Sequence, residues 1–114
     1  MNRWKIPDWL EHKIRKRDKR CVFCRTPMKE LRHARGVSRS KATWEHLDNN
    51  VRHRTETNIV RCCGACNSSK GAKKLVTWFQ SDYCKEKNIN ARTVSPIVKS
   101  WLRRRRGRLA RLRR

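Results

Sequence analysis

Cys21-Val-Phe-Cys24 and Cys63-Gly-Ala-Cys66 form two C-x2-C pairs with 38 residues between them. Each pair can wrap a tight knuckle that sets two thiolates side by side, and two such knuckles complete a tetrahedral zinc site. Four thiolates leave no position open for water, so a zinc ion on Cys21, Cys24, Cys63 and Cys66 is expected to be structural. Cys62 offers a competing Cys62-x3-Cys66 pair, but a C-x2-C knuckle closes more naturally. Cys84 has no partner pair and reads as a small core residue.

The apolar content shows why such a staple is needed. Only 36% of the 114 residues are hydrophobic, set against an ordering cost of roughly 1.5 kcal/mol per residue. A structural zinc supplies on the order of 10 kcal/mol of apparent folding free energy. The length fits one domain, or one small domain plus a tail. No apolar core of a signal peptide opens the chain, and no run approaches the roughly 20 apolar residues that span a bilayer. An intracellular, cytoplasmic protein is therefore expected, where cysteines suggest metal before disulfides. Lys and Arg total 32 against 9 acids, a formal charge of +23. Such a charge opposes compaction and makes sense beside a polyanion. The basic regions do not face one apolar stripe, which disfavours a membrane surface.

Outward from the knuckles, residues 7–19 read as a helix, with Pro7 at its first position and Ile6, Leu10 and Ile14, with Trp9 alongside, as the buried stripe. The polar, basic stretch 25–41 (Arg32, His33, Arg35, Gly36, Arg39, Lys41) reads as a loop or loose hairpin. Residues 42–47 and 58–62 are strand candidates joined by a polar loop. A short helix over 64–70 stops at Gly71, and Leu75, Trp78, Phe79 and Tyr83 predict one amphipathic helix over 73–87. Ser95-Pro96 starts a last helix that buries Ile97, Val98, Trp101 and Leu102. Beyond Glu86 there is no acid, and residues 103–114 hold eight arginines. Arg103, Arg104, Arg105, Arg106 and Arg108 are expected to contact nucleic-acid phosphate, on an arm that is partly disordered until it does so. Three segments result: a basic N-terminal helix over 1–20, a zinc-stapled core over 21–87 and a basic helical arm over 88–114.

Between and after the knuckles stand Glu45-His46, then Asn58, then Cys66-Asn67-Ser-Ser-Lys70-Gly71, with Arg17-Asp18 leading into the first knuckle. Over about residues 6–80 the chain resembles the HNH endonuclease family, whose hallmark is an acid–His pair, a central Asn, and a His or Asn after the second knuckle. The resemblance implies a small α+β fold: a ββα-metal core pinched around one divalent ion, held by structural zinc and flanked by N- and C-terminal helices. Two departures are plain: Glu45 stands where the family usually has Asp, and Asn67 where it often has His. The loop after His46 also lacks the Pro and double Gly often seen there.

Phosphodiester hydrolysis needs an activated water, a cation on the phosphate and stabilisation of the leaving oxygen. His46 is placed to take the proton from water, its neutral form favoured by the positive field around it. Glu45 and Asn67 would hold Mg2+ or Mn2+ through oxygen, weakly until phosphate adds its own oxygens. Asn58 would tie the 48–57 loop to the His46 backbone, orienting the base. Lys70 would contact phosphate, and His12, His33 and His53, lacking matching partners, read as surface or nucleic-acid contacts.

The expected partner is DNA, duplex and read with low sequence specificity, since no helix carries a row of base-reading side chains. A monomer or weak dimer with one centre should nick one strand at a time. Small free-standing proteins of this type are often encoded by phages and mobile elements, which would place it in a bacterial or phage-infected cell, with a packaging partner unspecified. A non-catalytic zinc-ribbon binder of DNA or RNA would account equally for the cysteines and the charge, though not for Glu45, His46 and Asn67. A thiol-redox protein using Cys62 and Cys84 would bind no zinc.

Overall fold

The computed structural model describes residues 2–30 and 39–112. In chain order these form α1 (Asp8–Arg17), β1 (Ala42–His46), β2 (Ile59–Cys63), α2 (Gly64–Lys70), α3 (Leu75–Trp78), α4 (Asp82–Lys87) and α5 (Pro96–Leu112). The class is α+β, as the sequence predicts. β1 and β2 pair antiparallel, with Ala42 opposite Cys63 and His46 opposite Ile59.

Side chains alternate across a strand, and β2 uses both faces. Ile59 packs against α1 with Ile6, Leu10 and Ile14. Val60 and Cys62 enter the larger core with Phe23, Leu75, Trp78, Cys84, Val98 and Leu102. Phe23 meets Trp78 edge-on, ring centroids 4.9 Å apart. The first knuckle is tied in by its backbone: Val22 N donates to Arg61 O, and Ser95 N, at the start of α5, donates to Val22 O.

Local chemistry sets the ends of α1. Asp8 and Glu11 lie in its first turn and Arg15, Lys16 and Arg17 in its last, matching the helix dipole. Pro7 caps the helix instead of occupying its first turn. The helix ends at Arg17, short of residue 19, because Asp18 is recruited elsewhere. Its carboxylate accepts two bonds from the Arg17 guanidinium, each 2.8 Å, and one of 3.1 Å from Arg61 N. Trp9 is 66% exposed and does not join the buried stripe; one residue turns a helix by about 100°, which carries it off the face of Leu10.

One further expectation is corrected. The helix predicted over 73–87 is broken into α3 and α4, because Ser81 is extended and its hydroxyl accepts from Cys84 N at 3.3 Å. A side chain that bonds the backbone locally stops one helix and caps the next. α5 runs without interruption into the basic arm as far as Leu112. Of the basic stretch 25–41 only the ends are described: Lys29 N donates to Ser40 O and Ala42 N to Lys29 O, tying them together. Arg32, His33, Arg35 and Gly36 lie outside the described residues. Among the described residues no helix is long and apolar enough to cross a membrane.

Candidate functional site

The two knuckles converge. The sulfurs of Cys21, Cys24, Cys63 and Cys66 all lie within 4.8 Å of one another. Four Zn–S bonds of about 2.3 Å in a tetrahedron place the sulfurs about 3.8 Å apart, and Cys24 Sγ stands 3.8 Å from Cys63 Sγ. The set can therefore hold a structural metal such as zinc. Two donors already face it: Cys66 N points at Cys63 Sγ (3.5 Å) and the Tyr83 hydroxyl at Cys66 Sγ (3.3 Å). Donors of this kind stabilise charge on metal-bound sulfur.

The crowded thiols hold their protons unequally. Hydrogen bonding from Cys21, then from Cys63 and Cys66, drives the Cys24 thiol far below its ordinary range, while the same bond to Cys24 pushes Cys21 up. Cys62 stands apart, fully buried beside Thr43, its thiol pushed up by desolvation. Cys84 is equally buried and also pushed up by desolvation. Neither is the exposed, low-pKa thiol that redox chemistry needs.

A second cluster forms where β1 ends beside α2. Trp4, Trp44, Glu45, His46, Asn49 and Asn67 line a cleft of about 250 Å³. Glu45 is buried; its Oε1 accepts from His46 N at 2.7 Å and its Oε2 from Lys70 Nζ at 3.4 Å. Desolvation pushes the Glu45 carboxyl up, and Lys70 opposes it. His46 is 3% exposed, with its Nε2 buried and without a hydrogen-bond partner. Desolvation holds the imidazole below its ordinary value; Arg54 and Lys70 add to this and Asp48 opposes it. Trp4 meets the ring edge-on at 5.7 Å.

Asn67 is fixed by its amide nitrogen, which donates to Thr43 Oγ1 (2.9 Å) and Trp44 O (3.3 Å). That choice turns Nδ2 toward β1 and leaves the amide oxygen as the end that can ligate a cation. Among the described residues the four thiols are the one group of three or more His, Cys, Asp or Glu side chains close enough to hold an ion. A cation beside Glu45 and Asn67 would thus have few protein ligands and would depend on substrate oxygens.

Two roles differ from expectation. Lys70 is not a surface group: it is fully buried, with Nζ on Asn49 Oδ1 (2.7 Å) and Glu45 Oε2. The i,i+3 spacing from Asn67 turns it onto the same inward face of α2. Asn58 orders the loop, but through Asp48 and not His46. Its Oδ1 accepts from Asp48 N (3.1 Å), and its Nδ2 donates to Asp48 Oδ1 and His53 O (2.9 Å each). His53 also has a partner after all, its Nδ1 resting on Asp48 Oδ2. Asn58→Ala removes three bonds at a buried position and should cost about 1–3 kcal/mol. Amide exchange at 48–53 should quicken with zinc content unchanged; unaltered exchange would show that the clasp orders nothing.

Trp4, Asn49 and Asp48 were not singled out by the sequence. Trp4 lies 42 residues from His46, and nothing local signals their meeting. Asp48-Asn49-Asn50 is a run of turn formers next to His46, the one signal that could have found the other two. Arg103 to Arg108 lie exposed on α5, away from the His46 cleft. No model of a known family matches the chain, and neither a characterised protein nor a solved structure matches it.

Proposed function

We propose that the protein is a metal-dependent endonuclease of the HNH type that hydrolyses phosphodiester bonds in DNA. The observation that supports this best is that Glu45, His46 and Asn67, the residues marked by the resemblance to the HNH family, line one cleft into which an unpartnered imidazole is built. On this reading β1, β2 and α2 are a ββα-metal core, and zinc on the four cysteines holds it together away from the chemistry. A buried His46, kept neutral by desolvation, takes the proton of the attacking water as its oxygen bonds to phosphorus and the sugar oxygen departs. Glu45 and Asn67 offer oxygens to Mg2+ or Mn2+, which would supply charge stabilisation on phosphate and leaving group. Lys70 holds the Glu45 carboxylate in place, and Asn58 with Asp48 holds the backbone that follows the base. The surplus of positive charge and the α5 arginines supply affinity for the polyanion.

The test is conversion of supercoiled plasmid to nicked circle. Nicking is expected with Mg2+ or Mn2+ and not when both are withheld; no product with either ion sinks the reading. The acid side of the rate profile adds a second check. His46 is held below the ordinary imidazole value near 6.5, and its neutral form is the active one. As pH falls, kcat/KM should therefore decline with a midpoint below 6.5. A decline centred at or above 6.5 would deny His46 the role.

One observation favours a different reading, a non-catalytic zinc-clipped nucleic-acid binder. The Glu45 carboxylate already receives two donors from its own chain, one of them the Lys70 ammonium. A binder would retain duplex affinity without any nicking.

A further inference from the structure

Arg103 to Arg108 of α5 divide between two clefts. Arg104, Arg105 and Arg108 form, with Trp101, one wall of a cleft of about 720 Å³. The opposite wall is the 48–58 loop, which contributes His53, Thr55 and Thr57. Arg103 and Arg106 turn instead to a smaller cleft of about 220 Å³ beside Arg92 and Lys99. We propose that the larger cleft binds the phosphodiester backbone of the nucleic acid outside the bond being cut, an inference that rests on the nucleolytic reading above.

Three observations carry it. First, the charge in the cleft is unbalanced. Ion pairs among the described residues engage Glu11, Asp18, Glu30, Glu45, Asp48 and Glu56, and none reaches these arginines. Arg104 and Arg108 stand four residues apart on one helix face, where like charges repel until an anion comes between them. The one carboxylate lining the cleft, Asp48, is already taken up by His53, by Asn50 N at 2.8 Å and by Asn58 Nδ2.

Second, the donors suit phosphate. Guanidinium forks match phosphate oxygens in pairs, and hydroxyls such as those of Thr55 and Thr57 are common phosphate contacts. The Arg105 guanidinium lies over the Trp101 ring, 5.0 Å from its centroid, which restrains the direction of its donors. Third, the 48–53 turn is a wall shared by two clefts. Asn49 and Val51 line the one at His46, while Asp48 and His53 line this one. A nucleic acid with one phosphate at His46 that crosses this turn would reach Arg104, Arg105 and Arg108 on its other side.

The experiment compares two double variants that lose equal charge from the same helix. Arg104→Gln/Arg108→Gln empties the large cleft, and Arg103→Gln/Arg106→Gln spares it. Anisotropy of a labelled short DNA duplex is titrated at several salt concentrations without divalent ions, using zinc-loaded protein whose melting temperature matches the parent. The first variant should weaken binding about tenfold or more and flatten the log–log salt slope by about 1.8, the value for two lost phosphate contacts. The second should weaken it by less than about threefold. Equal losses in both, which would mean net charge alone, or no loss in the first, overturn the proposal. Binding with the expected pattern but without nicking of plasmid sinks the nuclease reading and leaves the cleft standing; nicking without the pattern does the reverse.

Discussion

His46→Ala should lower the rate of plasmid nicking by about 10²- to 10⁴-fold, the usual worth of a positioned general base, with duplex affinity and zinc content unchanged. The size follows from the absence of a substitute. Glu45 beside it is buried, bonded through both oxygens and aimed at Lys70 and the His46 amide. His53 lies on the far side of the shared turn, paired with Asp48. The fold should tolerate the change, because the ring has no hydrogen bond from Nε2 and its described aromatic contact is the edge of Trp4. Single-turnover rates at saturating protein separate chemistry from binding. A variant that binds and melts like the parent and still nicks at a comparable rate would remove His46 from the mechanism.

Replacing Cys66 by Ser should have the largest effect on stability. A structural zinc contributes about 10–16 kcal/mol of apparent free energy in small domains, against total stabilities of about 5–15 kcal/mol. Losing one of four ligands should therefore leave no cooperative unfolding transition at neutral pH. The position is chosen because Cys66 is fully buried, caps the second knuckle through its amide and receives the Tyr83 hydroxyl. Cys84→Ala is the control, since Cys84 is buried in the same core but stands outside the thiol cluster. It should keep one zinc per chain and a sharp, somewhat lower melting transition. Metal analysis and thermal melting by circular dichroism decide the matter; a folded, cooperative Cys66→Ser protein would show that the cluster holds no structural ion.

How far the sequence could be read depended on the range of each interaction. The knuckles, the strand pair and the Gly71 stop all follow from spacings of a few residues, and they stand within one residue of where they are expected, with Gly71 at a φ of +52°. The 73–87 helix failed at a local competition: the apolar spacing of Leu75, Trp78, Phe79 and Tyr83 runs on through Ser81, whose hydroxyl caps α4 instead. Lys70 failed for a longer-range reason. Its neighbours on the chain are polar and small, and only the approach of Glu45 and Asn49 from β1 and its following turn makes burial of an ammonium tolerable.

The types and intervals of side chains were enough to pick out the four sulfurs, because a metal-ligating pair is written within one turn of chain, while the Glu45-His46 step, Asn58 and Asn67 were legible only through the resemblance to the HNH family. Packing alone brought Trp4 edge-on to the imidazole, clasped Asn58 to Asp48, buried Lys70 and set Arg104, Arg105 and Arg108 opposite the 48–58 loop. Those contacts join residues ten or more positions apart, and no short-range pattern encodes the distance at which folded segments meet.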